Sequence, residues 1–422
     1  MAASPAPAQQ VLLLLPAASY RNHAFRAAAG KLGVEIIAAA DYCHRLAPQW
    51  GLDPLLALPF DRPQRAAVLA LRHLRRKLDA VLAVDDHGVE LAALLSRKLG
   101  LPGNAVRSVR RLRDKLAFRL LLRRHRMHCP WFRHLRSEAD PAALRALRFP
   151  AVIKARRLAA SRGVIRADSR LELIRAVAQV RRIQAQGDRD AAQLGLVIEE
   201  FIPGREYALE GLFVNGRLRV LALFDKPDPL DGPYFEETIY VTPSHLPARV
   251  QRAAARDIEQ ACRHAGLASG PVHAEFRVNE RGRWLLEIAP RSIGGLCGAV
   301  LRHALGMTLE ELILRHALGR PLPAARHRAA CGVMMIPIPG RGIFEGVRGL
   351  EKALAVKGVT AVPITAERGQ IVAPPPEGSG YLGFIFARGR APANVVAALR
   401  NAQKRLDFKL RPEVSLRVSG DG

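Results

Sequence analysis

The sequence predicts a mixed protein, α/β at its start and α+β afterwards, in three packed units. Three observations lead there: strands alternating with helices over residues 1–110, hairpins mixed with helices over 111–325, and strands, Pro- and Gly-rich turns and one helix over 326–422. A chain of 422 residues, 49% hydrophobic, has material for several cores, which excludes a disordered segment or a mini-protein.

In order along the chain, Val11–Leu15 reads as a buried strand, Asn22–Leu32 as a helix closed near Gly33, and Val34–Ala39 as a second strand. Ala80–Val84 is a further strand, ending in Asp85-Asp86. Such alternation implies a parallel sheet whose ligands sit beyond the carboxyl ends of its strands. No G-x-G-x-x-G follows the first strand, so a dinucleotide-binding fold lacks its phosphate turn. Ser169-x-x-Glu172 is a capping box opening an amphipathic helix to about Ile183, with a loose polar connection over Gln184–Gln193. Asn215-Gly216 joins Tyr207–Val214 to Arg217–Phe224, the dipeptide that type I′ hairpins favour. The last unit holds the strand Gly332–Pro337, the turn Pro374-Pro375-Pro376-Glu377-Gly378 and a helix over Ala393–Arg405. No internal repeat is visible.

Charge narrows the partners. Lys+Arg number 65 against 38 Asp+Glu, a formal +27, and only ten of the bases are lysine. The arginines are scattered along the whole length, as compositional bias would place them. The densest run, Arg107 to Lys115 with Arg123, Arg124 and Arg126, has no interleaved aromatics to stack bases, and reads as a solvated helix face rather than a nucleic-acid site. Five cysteines, without any C-x-x-C pair, argue against a zinc site or a disulfide framework and fit a reducing cytoplasm. No apolar run approaches the roughly 18–20 residues of a membrane span, so the expectation is a soluble, unprocessed chain with no membrane partner.

The strongest chemical signal is a hairpin, Val272–Val278 and Trp284–Ile288, joined by Asn279–Arg283. With Val278 opposite Trp284, Glu275 falls opposite Glu287, their Cβ atoms about 5 Å apart on one face. Period 2 adds His273, Arg277, Leu285, Ala289 and Arg291 to that face. Two such carboxylates are either ordinary exposed strand acids or a pair held together by a cation such as Mg²⁺. Arg291 then lies near as a bidentate anion clamp. Lys115 heads a helix in Asp114-Lys115. Lys154 ends the strand Phe149–Lys154 ahead of a small-residue loop with Ser161-Arg162-Gly163, either a phosphate grip or a strand-end charge. Leu196-Val-Ile-Glu199-Glu200-Phe201-Ile-Pro-Gly204-Arg-Glu206 is a buried strand, a turn and a third acid, a hinge suited to an adenine edge and a ribose hydroxyl.

Taken in order, Asp114-Lys115, Val152-Ile-Lys154, Ser161-Arg-Gly163-Val, Glu199 to Glu206, His273-Ala-Glu275 and Glu287-Ile-Ala-Pro-Arg291-Ser-Ile-Gly294-Gly295 resemble the ATP-grasp superfamily. The likeness is greatest to its carboxylate–amine ligases of the L-amino acid ligase (dipeptide synthetase) type. The resemblance implies a pre-ATP-grasp domain (1–110), a two-lobed ATP-grasp fold (111–325) and a C-terminal lid-like α+β domain (326–422). It implies ATP and Mg²⁺ (or Mn²⁺), with Lys115 and Lys154 on the phosphates and Ser161, Arg162 and Gly163 in the covering loop. Glu199 and Phe201 would lie at the adenine hinge, Glu206 at the ribose, and Glu275 and Glu287 on the metal. Arg291, with Lys154, would be catalytic. The implied reaction joins a carboxylate to an amine, both small molecules of amino-acid type, through an acyl phosphate, releasing ADP and phosphate.

Ala289 stands where many ATP-grasp enzymes carry a metal-binding Asn, a mark of the amino-acid ligases. Gly294-Gly295 stands where some dipeptide synthetases carry a bulky residue, implying a wider pocket. The acidic loop Phe224–Thr238, with Glu236 and Glu237, reads either as the acceptor-amine site or as a surface turn. His245 and His273 stay outside the core site. Alternatives are a biotin-carboxylase-like or glycinamide-ribonucleotide-synthetase-like enzyme, or a basic nucleic-acid-binding protein on an inactive scaffold. The Ala-Pro-Arg-Ser-Ile-Gly-Gly stretch and the intact lysines and acids argue against these. The oligomeric state is open, a homodimer being the form common among such enzymes.

Overall fold

Four parallel strands form the first layer of the computed structural model, which describes residues 8–15, 22–41, 55–74, 77–136, 147–186, 193–323, 329–378 and 380–413. In chain order these open with β1 (Gln10–Leu15), α1 (Asn22–Leu32), β2 (Glu35–Ala40), β3 (Leu55–Ala57), α2 (Pro63–His73), β4 (Ala80–Ala83) and α3 (Val89–Lys98). The sheet order is β3-β2-β1-β4. Every residue of β1 is buried, as its unbroken apolar run requires of a strand covered on both faces. β4 delivers Asp85, Asp86 and His87 to the carboxyl end of the sheet. Cys43 and residues 187–192 of the polar connection lie outside the described residues.

α4 (Val106–Arg113) and α5 (Lys115–Arg124) meet at Asp114. On α4, Arg107, Arg110 and Arg111 are exposed while Val109 and Leu112 are buried, so the basic run is the wet side of an amphipathic helix. Asp114 caps α5, its carboxylate accepting from the Leu116 and Ala117 N–H groups at 3.0 and 3.2 Å. The same carboxylate accepts from Arg156 Nε at 3.0 Å, and the Lys115 N–H donates to the Arg156 carbonyl at 3.0 Å. Lys115 is thereby tied to the loop that follows Lys154.

That loop belongs to a small antiparallel lobe of β5 (Phe132–Leu135), β6 (Ala151–Ala155), β7 (Val164–Ala167), α6 (Arg170–Ala185) and β8 (Leu196–Glu200), with strand order β5-β8-β6-β7. Ser169 Oγ accepts from the Glu172 N–H at 3.3 Å, but the Glu172 carboxylate turns to the Asp168 N–H at 2.8 Å. Only half of the expected capping box forms.

The remaining elements are β9 (Arg205–Val214), β10 (Arg217–Asp225), β11 (Ile239–Thr242), α7 (Ala248–Ala265), β12 (Gly270–Asn279), β13 (Gly282–Ala289), α8 (Leu301–Leu305) and α9 (Leu309–Ala317). They continue with β14 (Ala330–Ile336), β15 (Gly342–Arg348), α10 (Leu350–Leu354), β16 (Val359–Ala361), β17 (Ile371–Val372), β18 (Gly383–Gly389), α11 (Pro392–Gln403) and β19 (Asp407–Arg411). One eight-stranded sheet, β13-β12-β9-β10-β11-β14-β18-β16, crosses the boundary expected near residue 325, because β11 pairs with β14. The Asn215-Gly216 turn closes β9 on β10 with both residues at positive φ, +49° and +76°, as type I′ geometry demands. One face of the sheet packs Phe276, Leu285 and Ile288 against Phe118, Leu122, Ile258 and Cys262 of α5 and α7. Its other face shares a core with Val11, Leu13 and Phe25 of the first domain.

The β12–β13 hairpin departs from the expected register. Asn279 pairs with Gly282, so the turn is two residues rather than five, and Arg277 lies opposite Trp284. Beyond Phe276↔Leu285 the register shifts: Leu286 has no partner and Glu275 pairs with Glu287. The expected pairing of the two glutamates is therefore present, restored by a bulge. Leu285 corrects the face assignment: it is 4% exposed, in the core against Phe276, because it precedes the bulge.

The Asp114 junction gives a stability test. Asp114→Ala should cost roughly 2–4 kcal/mol, since it removes a helix cap and a buried counter-charge together, and Asp114→Asn, which keeps the cap acceptor, should cost less. Urea denaturation of both variants checks the order.

Candidate active site

A cavity of about 450 Å³ opens where the first domain, the small lobe and the large sheet converge. Its walls include Asp86, Lys115, Lys154, Ser161, Arg162, Glu199, Phe201, Glu206, Glu237, His273, Glu275, Glu287, Arg291, Gly294 and Gly295. Of the residues singled out in the sequence, Gly163 and Glu236 are not in the wall. Gly163, at φ +65°, turns its N–H to the Pro376 carbonyl at 3.3 Å. Glu236 accepts a backbone hydrogen bond from Ile338, and burial raises its carboxyl pKa.

Lys154 and Glu199 form the deepest ion pair of the small lobe, at 2.5 Å. Glu199 also takes Arg119 Nε and Nη2 at 2.7 and 3.1 Å. Burial alone would raise the Glu199 carboxyl, yet Arg119 and Lys154 outweigh it and hold the pKa down at about 2. The Lys154 pKa is lowered as well: burial disfavours its ammonium, and Arg119 adds repulsion that Glu199 only partly offsets. A further anion beside Lys154 would complete its neutralisation. Glu199 thus anchors two cations with its side chain while lining the cavity. Phe201 lines the cavity beneath Arg166, whose guanidinium carbon is 4.2 Å from the ring centre.

Glu206, expected at the ribose, lines the cavity and is held by two cations. Lys226 Nζ donates to it at 2.7 Å and Arg277 Nε at 2.9 Å. The same Lys226 ammonium donates to Glu237 at 2.6 Å and Glu275 at 2.8 Å. Three acids within ligand reach of one another are therefore gathered around a lysine. Burial and the Glu275 charge push the Glu237 carboxyl up; for Glu275, Lys226 and His273 outweigh burial and hold it down. Glu237, expected at the acceptor-amine site, lines the cavity and shares the Lys226 ammonium with Glu206 and Glu275. Glu275 Oε1 also accepts from Tyr240 Oη at 3.2 Å.

Glu287 is the more open member of the strand pair, its side chain 31% exposed and its Oε2 3.4 Å from Lys115 Nζ. Lys115 Nζ donates to the Leu158 carbonyl at 2.6 Å. Arg291 Nε donates to Asp86 Oδ2 at 2.7 Å, across from the first domain. Burial disfavours the guanidinium charge, but Asp86 and Glu287 more than restore it. Gly294 has open space where a side chain would stand, and at Gly295 (φ +58°) a Cβ would meet the Phe384 ring at 3.2 Å.

Several residues of the site were not assigned to it from sequence. Asp86 was visible only as a strand end, and Lys226 only as a member of the Phe224–Thr238 loop. His273, expected outside the site, is buried in its wall between Glu210 at 3.2 Å and Glu275 at 3.5 Å, a correction that follows from its sharing the Glu275 face of β12. Those two acids overcome burial and raise its pKa to about 9. The chemistry of the donors suits a divalent cation bridging triphosphate: two hard carboxylates opposed across a hairpin, with two lysines and an arginine nearby.

The Glu199 pair sets a pH test. A carboxyl held at about 2, against an ordinary 4.5, contributes stability that is complete above pH 4.5 and lost as pH falls toward 2. At pH 7 Glu199→Gln should be less stable by about 3 kcal/mol, and the gap should close as the wild-type carboxyl protonates. Denaturant midpoints measured from pH 7 to pH 2 check this.

Residues 147–300 match the ATP-grasp domain, and residues 334–411 match the L-amino acid ligase C-terminal domain 2. Carnosine synthase 1 of Gallus gallus is 31% identical over 339 residues, covering 74% of this chain and 36% of that protein. The alanine–anticapsin ligase of Bacillus amyloliquefaciens is 24% identical over 258 residues, 56% of this chain and 53% of that one. The chain thus spans about a third to a half of these curated relatives. The crystal structure of the L-amino acid ligase from Bacillus licheniformis superposes with a TM-score of 0.80 at 25% identity, covering 96% of this chain and 99% of that one. Phosphoribosylglycinamide synthetase from Anaerococcus prevotii, at 16% identity and a TM-score of 0.69, shares the fold. Residues 147–300 are thus an ATP-grasp domain and residues 334–411 an L-amino acid ligase C-terminal domain, on a fold shared along the chain with an L-amino acid ligase.

Proposed function

We propose that this chain is an ATP-dependent carboxylate–amine ligase that joins amino-acid-type substrates through an acyl phosphate. The observation that supports this best is the convergence of Lys115, Lys154, Glu275, Glu287 and Arg291 on one cavity from separate units of the fold. The names of the relatives point the same way, since one ligates alanine and another is an L-amino acid ligase.

In this reading Lys115 and Lys154 hold the ATP phosphates under the loop carrying Ser161 and Arg162. Glu275 and Glu287 hold the cation, whose contribution when bound is to neutralise phosphate charge and polarise the transferring group. A substrate carboxylate oxygen attacks the γ-phosphorus, and the bond to the β-phosphate oxygen breaks with its electron pair, giving ADP. The amine nitrogen then attacks the acyl carbon, the phosphate leaves, and the nitrogen gives up a proton. Arg291, fixed by Asp86, stabilises negative charge as it moves between phosphoryl and carbonyl oxygens. No side chain becomes a covalent nucleophile, and catalysis is positioning plus charge stabilisation. The open space at Gly294 is read as the substrate side-chain pocket. The cytoplasm and a homodimer remain the proposed setting and assembly.

Phosphate release from purified protein with Mg-ATP, screened over single amino acids, amino-acid pairs, and bicarbonate with biotin, tests this directly. Release requiring a carboxylate and an amine, with the amide seen by mass spectrometry, is the expected outcome; release with bicarbonate alone would replace the reading with a carboxylase. Glu287→Gln should lower turnover at least about 10²-fold with the fold kept, and wild-type turnover would remove the metal assignment.

A further inference from the structure

We infer that Arg119 is a positioning residue that sets the cation site by pinning the bulge in β13. The inference rests on the proposed metal role of Glu275 and Glu287. Arg119 is 2% exposed and is not itself part of the cavity wall. Its guanidinium meets two separate parts of the site. Nε and Nη2 hold the Glu199 carboxylate, while Nη1 and Nη2 donate to the Leu285 and Leu286 carbonyls, both at 3.1 Å.

In a regular strand, consecutive carbonyls point to opposite edges, so one guanidinium cannot take both. It can at a bulge, where the unpaired residue turns the backbone. Among the described residues β13 is an edge strand with β12 as its one neighbour, and its outer carbonyls need donors from elsewhere. Arg119, one turn along α5 from Lys115, supplies them.

The consequence falls on Glu287. Without the extra residue at Leu286, the register Asn279↔Gly282 through Phe276↔Leu285 would continue, and Glu275 would face Leu286. Every later side chain of β13 would then swap faces, sending Glu287 toward the core with Phe276 and Leu285. Glu287 stands beside Glu275 in the cavity only because the bulge is kept, and Arg119 satisfies the two carbonyls that the bulge exposes.

Arg119→Lys separates this from a general structural role. Lysine keeps the positive charge beside Glu199 but is a point donor, unable to span that carboxylate and both carbonyls. The expected result is a folded variant whose ADP affinity without metal stays within about twofold of wild type, while Mn²⁺ binding to the ADP complex, followed by electron paramagnetic resonance, weakens at least tenfold. Should Arg119→Lys not fold, Arg119→Gln, which leaves Glu199 paired with Lys154, should show the same loss of Mn²⁺. Wild-type Mn²⁺ affinity in a folded variant would overturn the inference while leaving the ligase reading intact. A wild-type protein that binds ADP but no Mn²⁺ would instead overturn the metal assignment and this inference with it.

Discussion

A buried guanidinium bound at once to a carboxylate and to two backbone carbonyls governs the geometry of the cavity. Arg119 sits where α5, β8 and β13 meet, and each of these elements carries one functional part: Lys115 on α5, Glu199 with its partner Lys154 at β8, and Glu287 on β13. A charge so deep is tolerable only if fully satisfied. The satisfaction is what locks three elements from different parts of the chain into one arrangement.

A second buried cation plays the matching part on the large sheet. Lys226 gathers Glu206, Glu237 and Glu275 from three separate segments, and Arg277 closes the group from the neighbouring strand. Carboxylates packed this closely repel unless a cation stands among them, and here the chain provides its own. Glu287, across the hairpin from Glu275, is not held by Lys226, lies 3.4 Å from Lys115 and is the more exposed of the two. The two glutamates of the hairpin therefore differ in character: one is held in a network and the other faces the cavity.

The first domain contributes to the site through the end of β4, where Val84, Asp85, Asp86 and His87 line the cavity. Asp86, at the carboxyl end of a parallel strand, holds Arg291 from across the cleft, and the Val11, Leu13 and Phe25 core that it shares with the large sheet keeps the two in register. The long sheet continuing through β14 and β18 brings Met335 and Tyr381 of the last unit to the same cavity. The site is thus an intersection of all three units, which is why no one stretch of sequence contains it.

The strands and helices with strong local signals were legible in the sequence. The apolar run of β1, the Asn215-Gly216 turn and the α1 boundaries follow from burial, turn chemistry and helix periodicity, which act over a few residues. The order of the lysines, acids and Arg291 along the chain was legible too. The Glu275–Glu287 pairing was reached through a wrong turn length that the bulge at Leu286 cancelled, and local pattern had no means of showing that bulge. That Glu199 pairs with two cations, that Glu206 is enclosed by Lys226 and Arg277, and that Asp86 and His273 line the cavity were decided by tertiary structure. The amino-acid sequence by itself determined which chemistry-bearing groups exist and on which elements they ride. Only the folded chain decided their partners, because a buried charge takes its counter-charge from whatever packs against it, at any distance along the sequence.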